Sequence, residues 1–206
     1  MPAPQTRSSY HHGDLRAALI ATGLDLTRTG GPDALRLREV ARHIGVSPNA
    51  AYRHFANHHA LLAAVAAEIQ DRMAQSMRAE MGVSEAEDAS ARAVARLRGV
   101  GLGYVGFAIE EPGWFQLAFF APEGIERPDG QLPPPLVLLH DALDALVDAG
   151  VLTAAQRTGA EWSCWSTVHG FAELTIHGPL RYLPADQVRA LAARAIDDIN
   201  TGVLTP

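Results

Sequence analysis

Apolar residues recur along this chain at intervals of three and four, the spacing of helices with one buried face. Over residues 12–29, Leu15, Leu19, Ile20 and Leu24 share a side, and Gly30, Gly31 and Pro32 stop the segment. Leu37, Val40, Ala41 and Ile44 mark a short helix over 37–43, broken by Gly45. Ser47-Pro48 pairs a capping side chain with proline at a first helical position, opening a third helix to about residue 54. Asn57 is suited to cap a longer fourth helix reaching residue 81, with Leu61, Leu62, Val65, Ile69 and Met73 inside. After a gap at 82–84, a fifth helix is expected over 85–109, stopped by Glu110-Glu111-Pro112-Gly113. An aromatic helix over 114–120, a Pro- and Gly-rich loop over 121–135, and helices over 136–149, 153–176 and 185–200 complete the reading. No long stretch alternates with period two, so strand signals are nearly absent. The expectation is an all-α fold: a three-helix head in residues 1–60 and a larger C-terminal helical bundle in 61–206.

Composition narrows the function classes. With 48% hydrophobic and 19% charged residues, the 206-residue chain suits a packed core rather than disorder. It lacks an uncharged apolar run of about 18 residues, which excludes a membrane-spanning helix. The first residues show no apolar signal-peptide region, so a cytoplasmic location is expected. Cys164 is the single cysteine, which excludes an internal disulfide and a Cys-based zinc site. Net charge is -6, unevenly spread. The first 60 residues carry seven Arg against four acids, whereas the rest carry ten Arg against nineteen; there is no Lys. A basic head on an acidic body can engage a polyanion locally while the body repels nonspecific nucleic acid.

The stretch Leu37 to Phe55, LREVARHIGVSPNAAYRHF, reads as two short helices joined by a tight turn. Ala41 permits close packing, Gly45 supplies turn geometry, and Val46 and Ala51 suit the space between the helices. The second helix would present Ser47, Asn49 and Ala50 at its front, then Tyr52, Arg53 and His54. Short polar side chains at that end reach base edges in a major groove, and neutral donors behind them suit phosphate and sugar.

Residues 10–65, including YHHGDLRAALI, the string above and ALLAAV, resemble the DNA-binding head of TetR-type transcriptional regulators. Trp165-Ser-Thr-Val-His169-Gly170 is similar to the W-x-x-x-H-G signature of the WHG-type C-terminal domain in a subset of that family. Glu111-Pro112-Gly113-Trp114-Phe115 resembles the turn opening its aromatic helix. The resemblance implies an all-helical homodimer, commonly a repressor, that binds a pseudo-palindromic operator in double-stranded DNA. The C-terminal helices then dimerise and enclose a small-molecule pocket. DNA contacts are expected from Arg36, Arg38, Ser47, Asn49, Ala50, Tyr52, Arg53, His54 and His58. Two positions depart from the family pattern. Arg36 replaces a capping Ser or Thr, costing its helix about 1 kcal/mol of capping. His58 replaces a phosphate-binding Lys and gives up a fixed charge.

Aromatic residues concentrate in the second half, where most fill the core and some line a cavity between helices. Tyr104, Phe107, Trp114, Phe115, Phe119, His140, Trp162, Trp165 and His169 are the expected ligand-binding set, with Tyr104 and His140 as polar tips. Few charges accompany them, which favours an apolar or aromatic effector. Ala160, Ser163, Thr167, Gly170, Phe171, Leu174, Leu191, Ala195 and Ile199 are small or apolar on the last two long helices and form the expected dimer surface.

Other signals point elsewhere and are weaker. Gly101-Leu-Gly103-Tyr-Val-Gly106 matches GxGxxG, but Arg96, Leu97 and Arg98 precede it in a helical stretch, without the strand a dinucleotide site needs. Its glycines read as close-packing positions, and no cofactor is implied. His54 and His58 are separated by the helix start at Asn57, and His11-His12 are adjacent, so no metal site is expected. Cys164 and His169 lie five apart without an acid partner, so the chain is not expected to be an enzyme. Two rivals stay open. A dry cavity too small for a ligand would favour a DNA-binding regulator without an effector. A cleft joining His169 or Cys164 to a carboxylate would favour a helical enzyme.

Overall fold

The computed structural model describes residues 12–82, 88–120 and 131–205, and among these there is no strand. Helix α1 (His12–Gly30) is followed by a 3-10 turn (Pro32–Ala34), α2 (Leu37–His43), α3 (Pro48–Tyr52) and α4 (His58–Met81). The body continues with α5 (Ala89–Glu110), α6 (Pro112–Phe120), α7 (Pro134–Asp148), α8 (Ala154–Arg157), α9 (Ala160–Ile176), a second 3-10 turn (Pro179–Tyr182) and α10 (Ala185–Leu204). The all-helical class and the head with its helix-turn-helix are as expected.

Local capping explains most boundaries. The Ser47 hydroxyl accepts from the Ala50 N–H at 3.2 Å, and Asn57 Oδ1 accepts from the Ala60 N–H at 2.8 Å. Arg36 precedes α2 without a side-chain cap, as its residue type implied. Asp88 caps α5 through the Ala91 N–H at 3.1 Å, so α5 starts at Ala89 rather than at residue 85. Helix α6 starts two residues before Trp114, with Pro112 at its first position, where the missing N–H costs nothing. The single helix expected over 153–176 is two. Thr153 and Gln156 form a reciprocal capping box that starts α8, and Gly159, at φ +79°, turns the chain before α9 begins. Helix α10 runs four residues beyond the expected end, to Leu204. The expected loop segment 121–130, the expected helix start at Glu85, and Tyr10 and His11 of the family-like string lie outside the described residues.

Helix α4 is the spine. It starts in the head, where Leu61, Leu62 and Val65 are buried in the same core as Leu19, Leu24, Val40 and Phe55, and ends in the body with Ile69, Met73 and Met77 buried. Burying each such side chain fully contributes about 1.5–3 kcal/mol relative to exposure. Its broadest partner is α5, and Gly103 of the GxGxxG string, with Gly99 just before the string, makes that contact close, while Gly101 faces Ile196 of α10. A Cβ on Gly103 would stand 2.5 Å from Met77 Cα, and one on Gly99 would stand 2.9 Å from the Glu80 carbonyl oxygen. These residues sit inside α5, so the string is a packing device and not a phosphate loop.

Candidate functional site

The head presents a continuous polar face built on one turn. Gly45 at φ +72° occupies the left-handed region that the α2–α3 turn requires. The Val46 N–H closes that turn on the Ala41 carbonyl at 3.0 Å, while Ala41 and Ala51 are fully buried between the helices. Opposite this core, Ser47, Asn49, Tyr52 and Arg53 are exposed, Ala50 and His54 are half-buried, and Arg36, Arg38 and His58 are exposed beside them. Tyr52 is 42% exposed, a large aromatic held out of the core. Arg38 and Arg53 form no salt bridge among the described residues. Arg42, by contrast, is spent on Glu39 at 2.5 Å, and the Arg16 guanidinium stacks on Phe55 at 5.0 Å.

In the body, Tyr104 is the centre of an aromatic cluster. Its ring meets Phe115 edge-on at 5.6 Å and Trp165 at 5.1 Å, with Phe119 at 5.8 Å. Its hydroxyl lies 2.7 Å from His169 Nδ1, and His169 stacks on Trp165. Burial pushes the Tyr104 pKa well up and lowers that of His169, with Glu173 pulling the latter partly back. With the imidazole neutral, the tyrosine O–H donates to Nδ1 in the Nε2–H tautomer and Nδ1–H donates to the tyrosine oxygen in the other.

Beside this cluster is a void of about 20 Å³, walled by Met77 of α4, Leu97, Val100, Gly101 and Tyr104 of α5, and residues of α7, α9 and α10. It has room for about one water molecule, whereas ligand pockets run to roughly 300–1,000 Å³. The larger hollows are open grooves on the surface. Cys164 lines the void, and burial pushes its thiol up to about 11, which leaves no thiolate for nucleophilic chemistry. Among the described residues no three His, Cys, Asp or Glu side chains are placed to hold a metal.

The nine expected ligand residues fall into four places. Tyr104 and Trp165 line the void, and Phe115, Phe119 and His169 pack on those two. Trp114 and Phe107 stack on each other elsewhere, at the junction with the head. There the Trp114 indole N–H donates to the Leu24 carbonyl, and its ring is flanked by Arg28 at 5.2 Å and Arg72 at 5.0 Å. His140 is half-buried, and its Nε2 has no hydrogen-bond partner among the described residues. Trp162 is 59% exposed on the outer face of α9.

That outer face also carries Ser163, Gly170 and Leu174, with Leu191 exposed on the adjoining α10. Thr167, Phe171, Ala195 and Ile199 are half-buried along its edges, and Ala160 is buried. Ile199 also lines the void. Sequence reasoning did not single out Asn200, a buried polar residue on the void wall. Its signal was present: Val188, Ala192, Ile196 and Asn200 form the buried row of α10 at intervals of four.

Residues 19–65 match the family described as "Bacterial regulatory proteins, tetR family", and residues 97–199 match "Tetracyclin repressor-like, C-terminal domain". No curated protein matches the chain. Solved structures do. A Rhodococcus sp. RHA1 protein of unknown function is 27% identical, covering 97% of this chain and 100% of its own, with a TM-score of 0.66. A TetR-family transcriptional regulator from Pectobacterium atrosepticum is 19% identical, covering 97% and 99%, at 0.67. A TetR variant from Acinetobacter baumannii in complex with minocycline is 18% identical, covering 90% and 94%, at 0.64. At these last two identities the likeness concerns the fold.

Proposed function

The chain belongs to the TetR family of bacterial regulatory proteins, DNA-binding regulators of transcription, and from that premise we propose that it is a homodimeric repressor released from its operator by a small apolar or aromatic molecule. The observation that carries the DNA-binding reading is the exposed face of Ser47, Asn49, Tyr52 and Arg53 on a capped helix beyond a glycine turn. Asn49 and Ala50 would meet base edges, and Ser47, Tyr52, Arg53, His54 and His58 the backbone, with Arg36 and Arg38 alongside. Two such heads read half-sites one helical turn or a multiple apart, about 34–36 Å per turn. Selection of bound sequences from a random DNA pool, at stated salt, tests this; recovery of no palindromic motif would reject it.

Dimerisation is assigned to the outer face of α9 and α10, because exposed Trp162, Leu174 and Leu191 leave apolar surface there uncovered. We divide the chain within α4, near residue 60: residues 1–60 form the head, whose core also takes Leu61, Leu62 and Val65 from the first turns of α4, and residues 61–206 carry the dimer and effector functions.

Release needs a route from the body to the head. Tyr104 touches Phe115 of α6, and the neighbouring Trp114 grips α1 and α4. A ligand that parts Tyr104 from α6 would therefore tilt the head, provided it binds the tilted form better. About 2 kcal/mol of such preference changes operator affinity about thirtyfold.

The size of the void favours a second reading, a DNA-binding regulator with no small-molecule effector. Operator affinity that no bound compound alters would establish it over the first.

A further inference from the structure

His169, Glu173 and His177 recur at intervals of four along α9 and its end, and so stand in one row. Glu173 is the middle of it. Its Oε1 lies 2.7 Å from His177 Nδ1, while its Oε2 is buried with no hydrogen-bond partner among the described residues. His177 closes α9, and its Nε2 lies 3.0 Å from the side-chain nitrogen of Gln116 on α6. The other end of that amide faces the head: a Cβ on Gly31, just past α1, would stand 3.3 Å from Gln116 Oε1. Gln116 is therefore a strut, with its nitrogen on the residue that ends α9 and its oxygen on the head. The carboxylate fixes where the imidazole titrates. A carboxylate only accepts, so Nδ1 keeps its hydrogen and donates to Glu173, and Nε2 is the atom that gains or loses a proton. Bare, Nε2 accepts from the Gln116 N–H. Protonated, it would meet that N–H donor to donor, and the amide must turn end for end, offering its oxygen to the imidazolium and its NH2 to Gly31. The other polar and charged groups nearby have partners of their own. His169 is bonded to Tyr104, and α6 carries no charged side chain. Arg181 of the second 3-10 turn donates to the His177 carbonyl and lies over the Tyr182 ring. In the groove beside Gln116, Arg28 is paired with Glu111, and Glu110 with Arg189 of α10. Asp33, on the first 3-10 turn, is exposed.

We propose that His177 and Gln116 are positioning residues for DNA binding: their strut ties the end of α9 to the head, and one proton on His177 Nε2 reverses it, so that operator affinity senses pH. The inference rests on DNA binding by the head and needs no small-molecule effector. Imidazole suits the task, as the side chain that ordinarily gains its proton between about pH 5 and 8. The switch stands between the helix to which dimerisation is assigned above and the head that it positions.

Operator affinity of the full-length protein is measured from pH 8 to 5.5 at fixed salt, for wild type, His177→Gln, Gln116→Met and Gln116→Glu. Histidines of the head, His54 and His58 among them, are common to all four proteins. The quantity read is therefore the ratio of wild-type to variant affinity at each pH, from which their own response cancels. Against His177→Gln and Gln116→Met, that ratio is expected to change about two- to fivefold across the range, the worth of one partly exposed hydrogen bond. Gln116→Glu presents oxygen at both ends and cannot reverse. It pairs with the imidazolium, so its step is expected at higher pH than in wild type. Ratios that stay flat with pH, or a Gln116→Glu profile that coincides with wild type, would overturn the proposal. Nitrogen-15 NMR supplies a readout without DNA. At pH 8 His177 is expected as the Nδ1–H tautomer, and the Gln116 side-chain amide signals are expected to move as His177 gains its proton. An Nε2–H tautomer at pH 8, or Gln116 signals indifferent to that proton, would overturn the strut itself. Failure to bind an operator at any pH would instead sink the DNA-binding reading, with the hydrogen bonds still judged by the spectra.

Discussion

The Trp114 indole N–H donates to the Leu24 carbonyl oxygen at 2.8 Å, 90 residues apart in the chain. One end of that bond belongs to the body and the other to the first helix of the head. Arg28 reinforces it, pairing with Glu111 through two hydrogen bonds at 2.7 and 2.5 Å while its guanidinium lies over the Trp114 ring. Trp114→Phe removes the N–H and keeps a ring. The expected loss is about 1–3 kcal/mol for a buried bond left half-made, or a Tm lower by roughly 2–10 °C at this chain length. Differential scanning calorimetry checks it. An unchanged Tm would show that the bond carries nothing.

Gly113 offers a second handle on the same junction. A Cβ there would stand 2.4 Å from the Arg28 carbonyl oxygen and 2.5 Å from that of Thr27. Backbone cannot step aside as a side chain can, so Gly113→Ala must push α6 off α1. The expected destabilisation is about 1–3 kcal/mol, with operator affinity altered in the same variant. Gly106→Ala, where a Cβ would meet nothing within 4 Å, is the control and should be neutral or slightly stabilising.

On the DNA side, Tyr52→Ala combined with His54→Ala should abolish specific operator binding and leave the dimer intact by sedimentation. Arg53→Ala should weaken binding about evenly across sequences and reduce the salt dependence by about one unit of slope, as loss of one phosphate contact does. Sequence-selective weakening by Arg53→Ala would instead place that residue at a base edge.

Stability should depend on pH through His169. Burial lowers its pKa below the ordinary 6.5, so the unfolded chain binds the proton more readily than the folded one. This contribution is fully present above pH 6.5 and is lost as pH falls from there through the lowered folded value. Glu173, which opposes the shift, narrows the window. Tm measured from pH 7.5 down to 5 is expected to fall more steeply in wild type than in His169→Phe. Parallel curves would remove His169 from the account.

Much of this was legible in the letters, and the physics explains which part. Helix α2 begins and ends where Leu37 and Gly45 indicated, because four apolar residues and one turn-former determine a short helix locally. The break at Gly159 was missed although Thr153 and Gln156 spelled a capping box. The apolar pattern resumes across the break, and periodicity alone cannot see a left-handed glycine inside it. Trp162 and Trp165 are three residues apart on one helix, yet one faces solvent and the other the void. With apolar residues on two faces of α9, composition gives no means of choosing between them. Trp114 looked like a pocket residue because it is aromatic and lies among others. Its role at the head–body junction depends on where Leu24 ends up, which only tertiary structure supplies.

At Gly113, main chain abuts main chain. A junction padded with side chains has play: rotamers turn over and a nudge dies out within an ångström or two. Bare carbonyl against bare α-carbon has no such play, so a sideways step of α6 is handed to α1 at nearly full size. The reading head is in this sense geared to the body at Gly113 rather than sprung from it.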